Sequence, residues 1–513
     1  MQMCACLGVD GEPLAASLDV LGSHVVGGEH HQVGLERQRG VRAGGGDHGG
    51  PEREVRYELA VHDVPVDAIH AGCLERSDLF TQTGEVSGQD TRGDLDPRHR
   101  CEGSARCGSS LRPYAHDVSH STPLPDLALV SIEKMAAGGD GIGHLPDGRV
   151  VFVDGALPGE TVEARIVMSK RDFARAVVAE VRDASPHRVA APCPEVANGC
   201  GGCGWQHISP EAQLAWKVDI VADALRRTAK LPDATVRAGG AVGPWGYRSG
   251  MRLAVAADGR VGLRAAASHR IVTLETCPVA SPDLAALLSG VRVNGADEVS
   301  LRVGIASGEA TAFAHAGSAQ LTGLPAHVGV GPAAVLHETV AGRSLRVSAA
   351  SFFQSGPAAA EMLVAAVREA CGDSLGSVSP SSPLLDAYGG CGLFTAGLGA
   401  SHAVIVESSV SACADARVNA PEAVVVESMF ERWAPTPVNL AVADPARAGL
   451  GRSAVEVLSA TGAARVVLVS CDPVSLARDT TLLAEHGYAH GRSTVLDLFP
   501  HTPHIEVVTV FDR

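Results

Sequence analysis

Between residues 127 and 169 apolar and polar positions alternate with a period of two, in "LALVSIEKM", "RVVFVDGA" and "ETVEARIVMS". The intervening "GGDG", "PDG" and "LPGE" are turn signals, so the stretch 127–189 predicts a small closed β-barrel. At 209–230 the pattern in "SPEAQLAWKVDIVADALRRTAK" becomes helical, with Ser209 placed as N-cap and Pro210 at the first helical position. "MRLAVAADGRVGLRAA" then reads as two strands joined by a glycine-containing turn. From about 350 onward helices alternate with buried apolar strands as far as "HIEVVTVF", which predicts an α/β layer with a mainly parallel sheet. Residues 1–120 carry no sustained period and are rich in Gly, His and Arg. They are expected to be disordered, or a wrongly extended reading frame with a natural start near Val118. The organisation expected is therefore 1–120, a barrel over 127–189, a central α+β segment over 190–345 and an α/β domain over 346–513.

Composition narrows the class. Hydrophobic residues make up 45% of 513, enough for several packed cores. No run of eighteen apolar residues occurs, and the chain start has neither the basic opening nor the apolar stretch of a secretory signal. A soluble, cytoplasmic protein with no membrane contact is expected, as a monomer by default. A net charge of -16 excludes a uniformly basic nucleic-acid binder but leaves room for a local patch. Arg165, Lys170, Arg171 and Arg175 supply one on a single barrel hairpin, a candidate RNA contact.

Candidate chemistry gathers at the ends of the apolar strands. "PLLDAYGGCGLF" sets a strand end before a glycine-rich turn and a helix, the arrangement that binds ligands in doubly wound sheets. The next strand, "AVIVE", ends in Glu407, placed to accept ribose hydroxyls, and Asp444 closes "NLAVAD". The turn lacks full G-x-G-x-x-G spacing and no P-loop is present, which favours S-adenosylmethionine over NAD or ATP. Cys471 closes the run in "LVSCDP", and "FPHTPHIE" brings His501, His504 and Glu506 near the end of the chain as partners for a nucleophile. Thirteen cysteines without a secretion signal suggest metal or catalytic thiols. Cys193, Cys200 and Cys203 in "CPEVANGCGGCGWQH" form a candidate metal set. Its fourth ligand could be His207, giving zinc, or the distant Cys277.

"SFFQSG", "DAYGGCGLF", "DPARAGL", "SCDPVSLARD" and "FPHTPHIE", in that order, resemble the RNA uracil-5-methyltransferase family. The barrel is similar to the TRAM domain of the family's iron-sulfur branch, typified by enzymes acting on 23S ribosomal RNA. The resemblance implies a Rossmann-like S-adenosylmethionine-dependent methyltransferase domain, Cys471 as the nucleophile and Glu506 as the base. It also implies that Gln354, Tyr388, Glu407 and Asp444 line the cofactor or substrate site. It favours a 4Fe-4S cluster on Cys193, Cys200, Cys203 and Cys277, structural rather than redox-active, and an RNA partner: ribosomal RNA first, transfer RNA second. Gly389 departs from a family cysteine, Leu393 from an asparagine and Asp472 from an asparagine. Two rival classes are a TRAM-containing radical methylthiotransferase and a non-catalytic RNA-binding protein. The first has no need of Cys471 with Glu506, and the intact pair speaks against the second.

Overall fold

The computed structural model describes residues 127–513, preceded by two short strand pairs, Met3–Leu7 with Val55–Leu59 and Ser23–Val26 with Glu29–Gln32. The rest of 1–126, and with it the expectation of a disordered or wrongly extended start, lies outside the described residues.

The period-two segments close into the expected barrel. Its strands are Leu127–Met135, Gly141–His144, Val150–Asp154, Phe173–Asp183 and Thr161–Ser169, in that spatial order. Alternation sends Val130, Ile132, Val151, Val153 and Val162 inward, each buried aliphatic side chain contributing roughly 1.5–3 kcal/mol. The helix spans Pro210–Arg227. Ser209 is its N-cap by backbone, but its side chain caps nothing; the hydroxyl lies 3.4 Å from His187 Nδ1. "MRLAVAADGRVGLRAA" folds as the antiparallel pair Gly250–Val255 and Val261–Arg264, inside a six-stranded sheet.

The C-terminal layer is an eight-stranded sheet. Its order is Val236–Ala241, Ala489–Asp497, Glu506–Asp512, Arg465–Ser470, Leu440–Ala443, Leu384–Ala387, Ala403–Glu407, Val424–Glu427. All neighbours are parallel except Glu506–Asp512, which runs against both of its partners. The run Val466–Val469 is fully buried because both faces of the sheet are covered. Val467 and Val469 pack toward helix Pro357–Cys371. Val466 and Leu468 pack toward Pro210–Arg227, Gly451–Ala460 and Pro473–Glu485. From Leu384–Ala387 the chain steps outward to Ala403–Glu407 and later returns on the other side as Leu440–Ala443, so the sheet switches direction between these strands. Among the described residues no helix is long and apolar enough to cross a membrane.

Candidate active site

Strand pairing brings the two ends of the expected chemistry together. Ser470 pairs with Val507 across an antiparallel ladder, so Cys471 follows the last paired residue of one strand and Glu506 opens the other. Residues opposite one another in such a ladder present their side chains to the same face. Cys471 and Glu506 accordingly line one cleft, which encloses ≈ 1000 Å³ including its open mouth. Glu506 is only 2% exposed, while Cys471 is half-buried.

Part of the remaining wall is cationic and aromatic. The Arg248 guanidinium lies 5.5 Å from the ring centre of Phe499 and 5.6 Å from that of Tyr247. Arg447 donates from Nη2 to His504 Nδ1 at 3.0 Å. A guanidinium is donor only, so His504 Nδ1 is the acceptor, and a neutral His504 carries its proton on Nε2. Arg248, Arg447, Phe499 and His504 all line the cleft with Cys471. Arg248 gave no local signal in the sequence, whereas Arg447 and Phe499 sat unweighed inside "DPARAGL" and "FPHTPHIE".

Asp479 of "LARD" holds the loop that carries Arg447. Its fully buried carboxylate accepts from the Leu450 and Gly451 backbone N–H groups at 2.6 and 3.1 Å. Asp472 caps helix Pro473–Glu485 by accepting from Ser475 N at 2.6 Å. A cap needs one side-chain oxygen, which Asp and Asn both offer, so this departure from the family leaves the turn after Cys471 intact.

Gln354, Tyr388, Glu407 and Asp444 lie outside that cleft lining. Tyr388, Glu407 and Asp444 sit at or just beyond the C-terminal ends of the parallel strands. Glu407 accepts the Gly390 N–H on Oε2 at 3.0 Å and the Ser409 N–H on Oε1 at 2.6 Å, joining the glycine turn to the next strand. Gly390 has φ +55°, and a side chain there would project into open space, so the turn leaves room beside its backbone for a ligand. A Cβ on Gly389 would come within 2.7 Å of Ile405 Cγ2, which is why the family cysteine is not accommodated here. Leu393 is buried in the core at the start of helix Leu393–Leu398. Tyr388 holds φ +59° and donates its hydroxyl to Glu431 Oε1 at 2.7 Å. Asp444 donates its backbone N–H to the Ala387 carbonyl and caps no helix, since the next one begins at Gly451. Gln354 is buried in a segment tied by Ser355 Oγ to the Leu498 carbonyl and by Ser351 Oγ to Asp415. A group the sequence reading passed over is Asp386, fully buried, with Oδ2 accepting from Thr395 N and Oγ1 at 3.0 and 2.7 Å. Burial pushes its carboxyl up to about 7.

Cys193, Cys200, Cys203 and Cys277 all line the wall of the cleft around Cys471. Burial pushes the Cys203 thiol up to about 11, with Cys277 and Cys193 adding to the rise. Among the described residues, however, no three His, Cys, Asp or Glu side chains are arranged to hold a metal ion. The four thiols of the expected set share that one wall. Ligation requires thiolates, whose mutual repulsion only a bound cation offsets. His207 does not line the cleft with the four cysteines, which disfavours a zinc set including it; burial holds its imidazole down to about 4. Cys371, Cys391 and Cys413 are buried thiols pushed up to about 12 and fit structural roles.

Residues 128–179 match the TRAM domain. The chain is 35% identical over 454 residues to a 23S rRNA (uracil(1939)-C(5))-methyltransferase of Methylococcus capsulatus, covering 76% of this chain and 98% of that one. It is also 35% identical over 428 residues to an uncharacterized RNA methyltransferase of Streptomyces avermitilis, covering 75% and 97%. The structure of the Pyrococcus abyssi tRNA (uracil-54, C5)-methyltransferase in complex with S-adenosyl-L-homocysteine shares the fold. Its TM-score is 0.55 at 23% identity, over 75% of this chain and 100% of that one. This chain therefore belongs to the RNA uracil-5-methyltransferase family and is an enzyme that methylates carbon 5 of uridine in RNA at the expense of S-adenosylmethionine.

Proposed function

We propose that the enzyme modifies a uridine of 23S ribosomal RNA through a transient covalent bond to Cys471, with Glu506 as the base that completes the reaction. The observation that carries this reading is the register that sets the thiol beside the carboxylate in a cleft lined by Arg248, Arg447 and Phe499. Uracil carbon 5 is weakly nucleophilic. The Cys471 thiolate adds to carbon 6, and the electrons of the 5,6 double bond move onto carbon 5 and the adjoining carbonyl as an enolate. Arginine side chains lining the cleft stabilise that developing negative charge. When bound, S-adenosylmethionine supplies an electrophilic methyl group on a sulfonium. Glu506 then takes the proton from the methylated carbon 5, the double bond re-forms and the sulfur leaves as thiolate. Tyr388, Glu407, Asp444 and Gln354 would hold the methyl donor at the strand ends. Glu407 is aimed at the glycine turn, and open space beside Gly390 fits a ligand of that kind. The target base must leave its stack to reach the cleft, which suits a loop uridine.

The barrel hairpin with Arg165, Lys170 and Arg171 would contact RNA phosphates away from the cleft. Family likeness makes Cys193, Cys200, Cys203 and Cys277 the candidates for an iron-sulfur cluster that orders the wall without electron transfer. Iron and acid-labile sulfide assays on anaerobically purified protein test that assignment. We place the enzyme in the cytoplasm, as a monomer, where its RNA substrate is found. The deciding experiment is mass spectrometry of ribosomal and transfer RNA from cells lacking the gene. Loss of one 5-methyluridine from 23S rRNA is expected; loss from transfer RNA alone refutes the choice of substrate.

A further inference from the structure

Behind the cleft lies a buried polar layer that takes no part in the bond changes. Gln213 and Lys217 sit four residues apart on helix Pro210–Arg227, so they face the same way, and both are completely buried. Lys217 Nζ donates to Asp497 Oδ1 at 2.7 Å and to the Phe499 carbonyl at 3.4 Å. Its ammonium also lies 5.6 Å from the ring centre of Trp205. Gln213 Oε1 accepts the His501 backbone N–H at 2.6 Å, while its Nε2 donates to the Ile208 carbonyl at 2.9 Å. Trp205 N–H donates to the His501 carbonyl at 2.8 Å. Most of these contacts converge on Asp497, the last residue of its strand, and on the irregular stretch 498–504 that follows and carries Phe499 and His504 into the cleft.

The same stretch is braced from the barrel. Trp205 Nε1 donates to the Gly139 carbonyl at 3.1 Å. A Cβ on Gly139 would come within 2.8 Å of Trp205 Nε1 and 2.9 Å of Pro503 Cβ, so the barrel turn lies against the loop itself. Fixing irregular backbone costs conformational entropy, and His501 is further held at φ +68°. A loop of this kind keeps one shape only where buried bonds over-determine it.

We propose that Gln213 and Lys217 are positioning residues: they clamp the 498–504 loop and the strand end before it so that Phe499 and His504 form the base-facing wall of the cleft. The barrel turn at Gly139 braces the same loop, which couples the RNA-contacting barrel to the site of chemistry. This inference rests on the reading of Cys471 as nucleophile. It places two helix residues, about 280 positions away from the loop, in control of where the uracil ring stands.

The test uses the full chain and whichever unmodified transcript, 23S rRNA or tRNA, the wild type methylates. Gln213→Met and the double variant Lys217→Met with Asp497→Asn are compared with wild type. The double change removes both charges and so avoids leaving an orphaned ion. Four quantities are read: melting temperature, affinity for S-adenosylmethionine, KM and kcat for RNA, and the rate of covalent adduct formation on 5-fluorouridine RNA. Cofactor affinity within twofold of wild type, with the RNA KM raised or the adduct rate lowered at least fivefold, is the expected result. The clamp is refuted if KM and adduct rate in folded Gln213→Met stay within fivefold of wild type, or if cofactor affinity falls in the same proportion. Should the double variant fail to fold, Gln213→Met and Gly139→Ala decide alone. Absence of any adduct with wild type refutes the nucleophile reading instead.

Discussion

Replacing Glu506 by Gln separates the two halves of the proposed reaction. The amide keeps the size of a side chain that is only 2% exposed, so packing is preserved while the ability to accept a proton is lost. Cys471 is untouched and lines the same cleft, one residue beyond the end of the neighbouring strand. Addition and methyl transfer should therefore proceed, and elimination should stall. A positioned general base typically contributes about 10²–10⁴-fold, which corresponds to roughly 2.7–5.4 kcal/mol of barrier. The expected result is one methyl group incorporated per enzyme in a fast burst, steady-state turnover reduced by that factor, and a methylated enzyme–RNA adduct visible on a denaturing gel with ordinary uridine RNA. A variant that turns over within tenfold of wild type and accumulates no adduct would show that Glu506 is not the base.

Cys471→Ser should abolish both methylation and the adduct with 5-fluorouridine RNA; residual turnover at undiminished speed argues against covalent catalysis. Burial pushes the Asp386 carboxyl up to about 7 from about 4 unfolded, so its contribution to stability should be flat below pH 4, fall as pH rises through 4 to 7, and level off above. Asp386→Asn should flatten that slope in melting scans, and an unchanged slope assigns the pH dependence elsewhere. Lys217→Met alone leaves the Asp497 carboxylate buried and unpaired and should cost about 3–5 kcal/mol of unfolding free energy, whereas Lys217→Met with Asp497→Asn should recover most of it in denaturant melts. Neutralising Arg165, Lys170 and Arg171 together should lower the slope of log affinity against log salt by about 0.7 per lost phosphate contact, with single-turnover methylation at saturating RNA unchanged. An unaltered slope removes this hairpin from the RNA interface.

Much of the architecture was legible because local periodicity reports burial. The barrel strands followed from alternation, and the run Val466–Val469 followed from being apolar on both faces. Side-chain geometry was less legible. Ser209 occupies the cap position, yet its hydroxyl turns toward His187 instead of the helix N–H groups. The four cysteines share a wall without converging on a point. Spacing along a chain bounds which thiols can meet, but not the angles at which loops deliver them.

What the chain by itself determined is the list of chemical parts and the strands that end in them: a thiol after "LVS", a carboxylate opening "EVVTVF" and a glycine turn after "LLDA". These are local facts, set by side-chain period, turn chemistry and the covalent order of residues. Tertiary structure alone decided the neighbours. Only the antiparallel register of Arg465–Ser470 with Glu506–Asp512 puts Cys471 beside Glu506, and only helix docking lets Lys217 reach Asp497. Such contacts arise because burying two apolar faces fixes the sheet as a whole, and every polar group carried inward must then find a partner from a distant part of the chain.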